Sequence, residues 1–191
     1  MPKIREVGTV LRLYPMGERG AIVCWCTAGH GMVRTASRSV LKPGSELAGV
    51  VDLFHECEFV YHPTAKSDLC TLDTAELLTP RLALRGNLLR LRLASYMAQL
   101  LLSTVEPGGP EDSAWHKLIS TALDYVATAT LRPEILYRFE RRLAELHGLY
   151  AAGVNAHSAL LHHFTHLPAG RGELLEQLRR SGADSAALPR G

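Results

Sequence analysis

The sequence predicts an α+β protein, with a small all-β N-terminal half and an all-α half behind it. Two observations carry this. Up to residue 79 the apolar residues come in short alternating or continuous runs divided by Gly/Pro turns; beyond Pro80 they recur at helical spacing. A third gives the β half its shape: several strands within about 80 residues, with tight turns between them, read as a small barrel.

The first strand run ends at Tyr14-Pro15-Met16-Gly17-Glu18, where Pro sets φ and Gly admits φ > 0. Ala21 to Thr27 is a continuous apolar run, rich in strand formers at Ile22, Val23 and Trp25. Ala28-Gly29-His30-Gly31 permits a hairpin, and a third run follows from Met32 to Arg38. Alternation there puts Met32, Arg34, Ala36 and Arg38 on one face and Val33, Thr35 and Ser37 on the other. Val40 to Leu47 is turn-rich. Val50 to Tyr61 reads as one long strand with Val51, Leu53, His55, Cys57, Phe59 and Tyr61 on one face, and Leu69 to Leu78 as a fifth strand. Five such strands fit an OB-type Greek-key barrel; another small barrel or an open meander fits the pattern too.

Gly86 to Val105 is expected as the first long helix, ended by Glu106-Pro107-Gly108-Gly109-Pro110. Ser113 to Thr130 forms a second. Pro133 suits the first turn of a third, with an apolar seam of Leu136, Phe139, Leu143, Leu146 and Tyr150. Ala156 to Leu167 and Glu173 to Arg180 read as two shorter helices, and the Ala/Gly/Ser-rich end as a disordered tail. The expected domains are a barrel at 1–79, a helical domain at 80–181 and a tail at 182–191.

The overall charge of +2 means little, but its distribution is uneven. Residues 1–47 hold seven Lys/Arg against three Asp/Glu, residues 48–79 hold Lys66 against six acids, and residues 80–191 hold thirteen basic against ten acidic side chains. A basic edge opposite an acidic one favours an oriented anionic ligand. No secretory signal and no run long enough for a membrane span is read in the sequence. The four cysteines, Cys24, Cys26, Cys57 and Cys70, are expected as reduced thiols of a cytosolic protein.

The string VGTVLRLYPMGERGAIVCWCTAGHGMVRTASR resembles the opening of the RecO family of bacterial recombination mediators. The likeness continues through Lys42-Pro43-Gly44-Ser45, Asp52-Leu53-Phe54-His55-Glu56-Cys57-Glu58 and Ser67-Asp68-Leu69-Cys70-Thr71-Leu72, then Ser95-Tyr96 and Val105-Glu106-Pro107. Its weight lies in the order of many weak pieces, and it favours the OB barrel. The resemblance implies a non-enzymatic mediator of recombinational DNA repair. Such a protein binds single- and double-stranded DNA, anneals complementary strands and helps load the RecA filament. The implied partners are RecR and the acidic C-terminal tail of single-stranded-DNA-binding protein. No membrane role and no cofactor are implied, and the location is cytoplasmic, with the nucleoid.

The implied DNA-binding residues are Lys3, Arg5, Arg12, Arg19, Arg34, Arg38 and Lys42; the alternative is a set of solvated surface charges. In the family the third strand usually runs on into dense Lys/Arg, a run thinned here by Ser39, Val40 and Leu41. Arg81, Arg85 and Arg92, with Arg138, Arg141 and Arg142, are candidates for DNA or partner contact; the first group could equally neutralise acids of the 48–79 segment. Trp25 groups with Ala21 and Val23, so core packing fits it better than base stacking, whereas Tyr14 is expected on the surface. Many family members carry paired Cys-x-x-Cys zinc ligands in the helical half, but this sequence has no cysteine after Cys70. His157, His162, His163 and His166 lack partners at ligand spacing, so no metal is expected. No phosphate loop, nucleophile elbow or His-Glu-x-x-His is present, and no catalytic residue is assigned. Two rivals remain. One is an adaptor that docks the tail of single-stranded-DNA-binding protein without gripping DNA strongly; the other is a metal-dependent enzyme using the late histidines.

Overall fold

The computed structural model describes residues 3–64, 67–107, 113–151 and 153–187. Five strands, β1 (Ile4–Met16), β2 (Gly20–Thr27), β3 (Met32–Ser37), β4 (Glu56–Thr64) and β5 (Ser67–Thr79), close into a barrel in the order β1-β2-β3-β5-β4. All neighbours are antiparallel except β3 and β5, which run parallel. The helices are α1 (Leu88–Thr104), α2 (Ser113–Thr128), α3 (Pro133–Leu146), α4 (Ala156–His163) and α5 (Arg171–Ala187). Two compact units result: Met1–Arg81 with Val105–Ser120, and Leu82–Thr104 with Thr121–Gly191. The first half of α2 thus belongs with the barrel and not with the other helices.

Alternation fills the barrel. Val10, Ala21, Val23, Trp25, Val33, Cys57, Phe59, Tyr61 and Leu72 are buried in one cluster. Trp25 stacks on Phe59 at 4.0 Å between centroids, and its indole N–H donates to Thr35 Oγ1 at 2.8 Å. A buried Trp keeps its donor satisfied in this way, so Trp25 is core, as its strand neighbours indicated.

The long fourth strand expected from Val50 does not form. It begins at Glu56 because Phe54 sits at φ 66, outside the extended region. The chain there is held by Phe54 N–H to Val10 O and Val10 N–H to His55 O, both 2.9 Å, and His55 Nδ1 lies 2.9 Å from Val50 O. Val51 still reaches the core, but from a turn.

In the second unit, α1 buries Leu93, Met97, Leu100 and Leu101, α3 buries Leu136, Phe139 and Leu143, and α5 buries Leu174 and Leu178. Pro133 occupies the first turn of α3 as expected. Arg90 donates to the carbonyls of Val126 and Ala129, closing the C-terminal end of α2. α4 stops at His163, short of the expected Leu167, and α5 runs past Arg180 to Ala187 over part of the stretch read as a tail. Ala183, Ala186 and Ala187 are strong helix formers, and the apparent tail composition hides that propensity. Residues 188–191 lie outside the described residues, as do Pro110 and its neighbours.

Candidate nucleic-acid interface

The outer surface of β1, β2 and β3 is where the candidate cations separate into two groups. Arg12 pairs in register with Cys24, and Cys24 with Arg34, so the three side chains form one row across three strands. Simple alternation would not give this row. Val10 faces the core, and a residue two further on should face it as well. A bulge between Val10 and Arg12 takes up Leu11 as the extra residue, turns Arg12 outward and returns Leu13 to the core side.

One step along the strands the next row is Tyr14, Ile22 and Ala36. The Arg12 guanidinium lies over the Tyr14 ring at 4.6 Å. Arg34 and Arg38 are both exposed while Val33, Thr35 and Ser37 are buried, as the alternation of β3 predicts. Met32, on the same face by alternation, is buried instead, at the end of β3 where its backbone bridges to Pro107. Arg19 and Lys42 are also exposed. Among the described residues no carboxylate pairs with Arg12, Arg19, Arg34, Arg38 or Lys42. Burial raises the Cys24 thiol pKa, with the charges of Arg34 and Arg12 pulling the other way.

Lys3 and Arg5 belong to a different environment. Lys3 pairs with Asp73 at 3.0 Å and Arg5 with Glu58, where β1 lies against β4. The hydrogen bond and charge of Lys3 lower the Asp73 pKa, with His62 adding to the effect. These two cations are therefore matched by the acidic segment.

Arg81 is not on a surface. It is 6% exposed, at φ 44, and donates to Phe54 O at 3.1 Å, Glu56 Oε2 at 2.7 Å, Ser120 Oγ at 2.6 Å and Thr9 Oγ1 at 3.4 Å. Ser120 Oγ also donates to Glu56 Oε2 at 2.6 Å, and His116 Nε2 stands 3.7 Å from the same oxygen. Burial raises the Glu56 pKa, but the hydrogen bonds from Ser120 and Arg81 outweigh it and hold the carboxyl below its ordinary value. Burial likewise holds His116 below its ordinary value, against the pull of Glu56. This network ties the start of α2 to the barrel within the first unit, so Arg81 neutralises an acid of the 48–79 segment and does not present its charge outward. Of the two roles the sequence left open for Arg81, this is the neutralising one.

The other helical candidates are mostly engaged. Arg92 pairs with Glu173 at 2.8 Å, and Arg141 and Arg142 share Glu145 at 2.9 and 3.0 Å. Arg85 also has a partner, and Arg138 is exposed. Of the late histidines, His157 Nδ1 lies 3.3 Å from buried Glu140, which takes two bonds from Arg171 at 2.6 and 2.7 Å. Among the described residues no three His, Cys, Asp or Glu side chains gather as metal ligands would. No helix among them is long and apolar enough to cross a membrane.

A closed barrel of this strand order, followed by helices, defines an OB-fold protein with a helical domain. Residues 1–81 match the family described as Recombination protein O N terminal. The chain is 30% identical over 154 residues to DNA repair protein RecO of Anaeromyxobacter sp. (strain K), covering 81% of this chain and 58% of that protein. It is 28% identical to DNA repair protein RecO of Bacillus subtilis (strain 168) over 143 residues, 75% of this chain and 55% of the relative. These matches support the RecO family, with the family model confined to the barrel residues 1–81. It spans a little over half the length of these curated relatives.

Proposed function

We propose that the chain is a non-enzymatic mediator of recombinational DNA repair. It binds single- and double-stranded DNA on the outer face of β1–β3, anneals complementary strands and assists RecA loading. RecR and the C-terminal tail of single-stranded-DNA-binding protein are its proposed partners, and the cytoplasm, at the nucleoid, its place of action. The observation that carries this reading is the set of five exposed cations, Arg12, Arg19, Arg34, Arg38 and Lys42, with no carboxylate partner among the described residues. Unmatched cations spread along one side of a barrel favour phosphates, whose counterions are released on contact. Lys3 and Arg5, being paired, contribute less. Annealing needs charge neutralisation and strand alignment, not bond chemistry, so no nucleotide cofactor is required. The test is direct: the purified chain should anneal complementary oligonucleotides without ATP, and failure to bind or anneal at low salt would refute the reading.

A second reading, the adaptor, draws on the second unit. A cleft of about 290 Å³ is lined by Leu91, Arg92, Ser95, Tyr96, Gln99 and Leu174 among others. The Tyr96 hydroxyl is buried with no hydrogen-bond partner among the described residues. Leu91, Tyr96 and Leu174 offer apolar surface to an aromatic-ended tail, whose carboxylates would compete with Glu173 for Arg92. A chain that binds DNA only weakly, and whose folded Leu91→Ala variant loses the tail peptide, would favour it.

A further inference from the structure

We infer that Tyr14 is a base-stacking platform on the barrel, which makes this face select unpaired strands. The inference rests on the reading that β1–β3 is the DNA site, and it adds what part of the nucleic acid is read there. Tyr14 is 40% exposed, at the end of a strand whose other aromatic neighbours are buried. Its register partners across the sheet are Ile22 and then Ala36, both half-buried. The row is therefore a low apolar strip with one aromatic ring at its edge.

Cations stand on both sides of that strip. Arg12 and Arg34 occupy the preceding row, and Arg38 lies just past the end of β3 on the same side as Arg34 and Ala36. Strand spacing of about 4.8 Å and a rise of about 3.3 Å per residue put the flanking cations within a span of roughly 10–15 Å. A single strand can lay a base over the strip while its phosphates meet the cations on either side. A duplex cannot, since its base faces are stacked inside and only base edges, sugars and phosphates reach the surface. The Arg12 guanidinium held over the Tyr14 ring at 4.6 Å orders the ring and leaves its exposed part for a base. Charge decides that the occupant is a nucleic acid, and the ring decides that it is an unpaired one.

The test compares three ligands of equal length: oligo(dT), an abasic deoxyribose-phosphate strand, and a duplex. Each is titrated against the parent chain, Tyr14→Ala, Tyr14→Phe and Arg34→Ala/Arg38→Ala. Removing a stacking aromatic should weaken oligo(dT) roughly five- to a hundredfold. The abasic strand and the duplex should be bound by Tyr14→Ala as by the parent, and Tyr14→Phe should match the parent on all three. Equal losses by Tyr14→Ala on all three ligands would overturn the inference, because the ring would then serve only to hold Arg12. No loss on oligo(dT) would overturn it too. If Tyr14→Ala behaves in either of those ways while the arginine pair weakens every ligand, only the stacking role falls. If the arginine pair leaves every ligand unaffected, the barrel face is not the DNA site and both fall.

Discussion

Replacing Arg81 with Ala should destabilise the first unit severely while leaving DNA binding nearly untouched. Arg81 is 6% exposed, and its guanidinium donates to Thr9, Phe54, Glu56 and Ser120, the last two at 2.7 Å or less. Its loss leaves the Phe54 carbonyl and the Glu56 carboxylate short of a donor, with Ser120 at 2.6 Å and Thr9 at 3.4 Å still donating to Glu56. Breaking a buried ion pair from one side costs roughly 3–5 kcal/mol. Glu56 keeps 18% exposure, so water recovers part of that and about 2–4 kcal/mol remains. At about 2–4 °C per kcal/mol for a chain of this size, the melting midpoint should fall by roughly 4–16 °C. Scanning calorimetry with a double-mutant cycle against Glu56→Gln measures both the loss and the coupling. The salt dependence of DNA binding, read below the melting transition, should be that of the parent. A melting shift under 2 °C, or a flattened salt slope in folded protein, would mean that Arg81 is not the buried tie described here.

Three further outcomes are expected. His116, His147 and His157 are all held below their ordinary value, chiefly by burial, so the unfolded chain takes up protons first as pH falls below 6.5. Their stabilisation is present above pH 6.5 and lost as pH drops towards the folded-state values. Glu56, also depressed, adds a loss of the same sign below pH 4.5. Urea unfolding between pH 8 and 4 should therefore show stability declining steadily on the acid side, by up to about 1.4 kcal/mol per pH unit for each differing proton, and a flat profile would contradict it. Arg171→Ala should cost roughly 3 kcal/mol, since it strands Glu140, whose side chain is 2% exposed; Arg171→Lys should recover part of this as a single charge without the two-pronged geometry. Elemental analysis should find well under one zinc per chain, and a stoichiometric zinc lost in His162→Ala would revive the metal reading.

Much of the barrel was legible because its strands obey period 2 and its turns carry Gly and Pro where they are needed. Trp25, Val23 and Ala21 fell together on the inner face, and Arg34 and Arg38 together on the outer. What was hidden came from relations that local sequence does not carry. The bulge at Leu11 reverses the parity of β1, so Arg12 reaches the surface only because an extra residue is absorbed. Pairing of Lys3 with Asp73 and of Arg5 with Glu58 depends on residues some seventy and fifty positions apart, and it sets these two cations apart from the unpaired ones. Arg81 looked like part of a cationic run, yet its positive φ turns it into the unit, where Glu56 and Ser120 await it. The late start of β4 at Glu56 has a similar origin, since Phe54 adopts a conformation that a large apolar residue rarely takes. Helix positions were clearer than helix ends, with α4 and α5 misjudged in opposite directions.

Unpaired cations on the β1–β3 face are proposed to hold phosphates. The most direct test is the salt dependence of binding for the parent and for Arg12→Ala/Arg34→Ala/Arg38→Ala, on single-stranded and duplex DNA. Each phosphate contact removed should flatten the log–log slope by roughly 0.7 on single strands and 0.9 on duplex, so the triple variant should lose about 2 and about 2.7. The three residues are exposed, so the fold should persist with a melting point close to the parent's. A folded triple variant whose slopes run parallel to those of the parent would contradict the account.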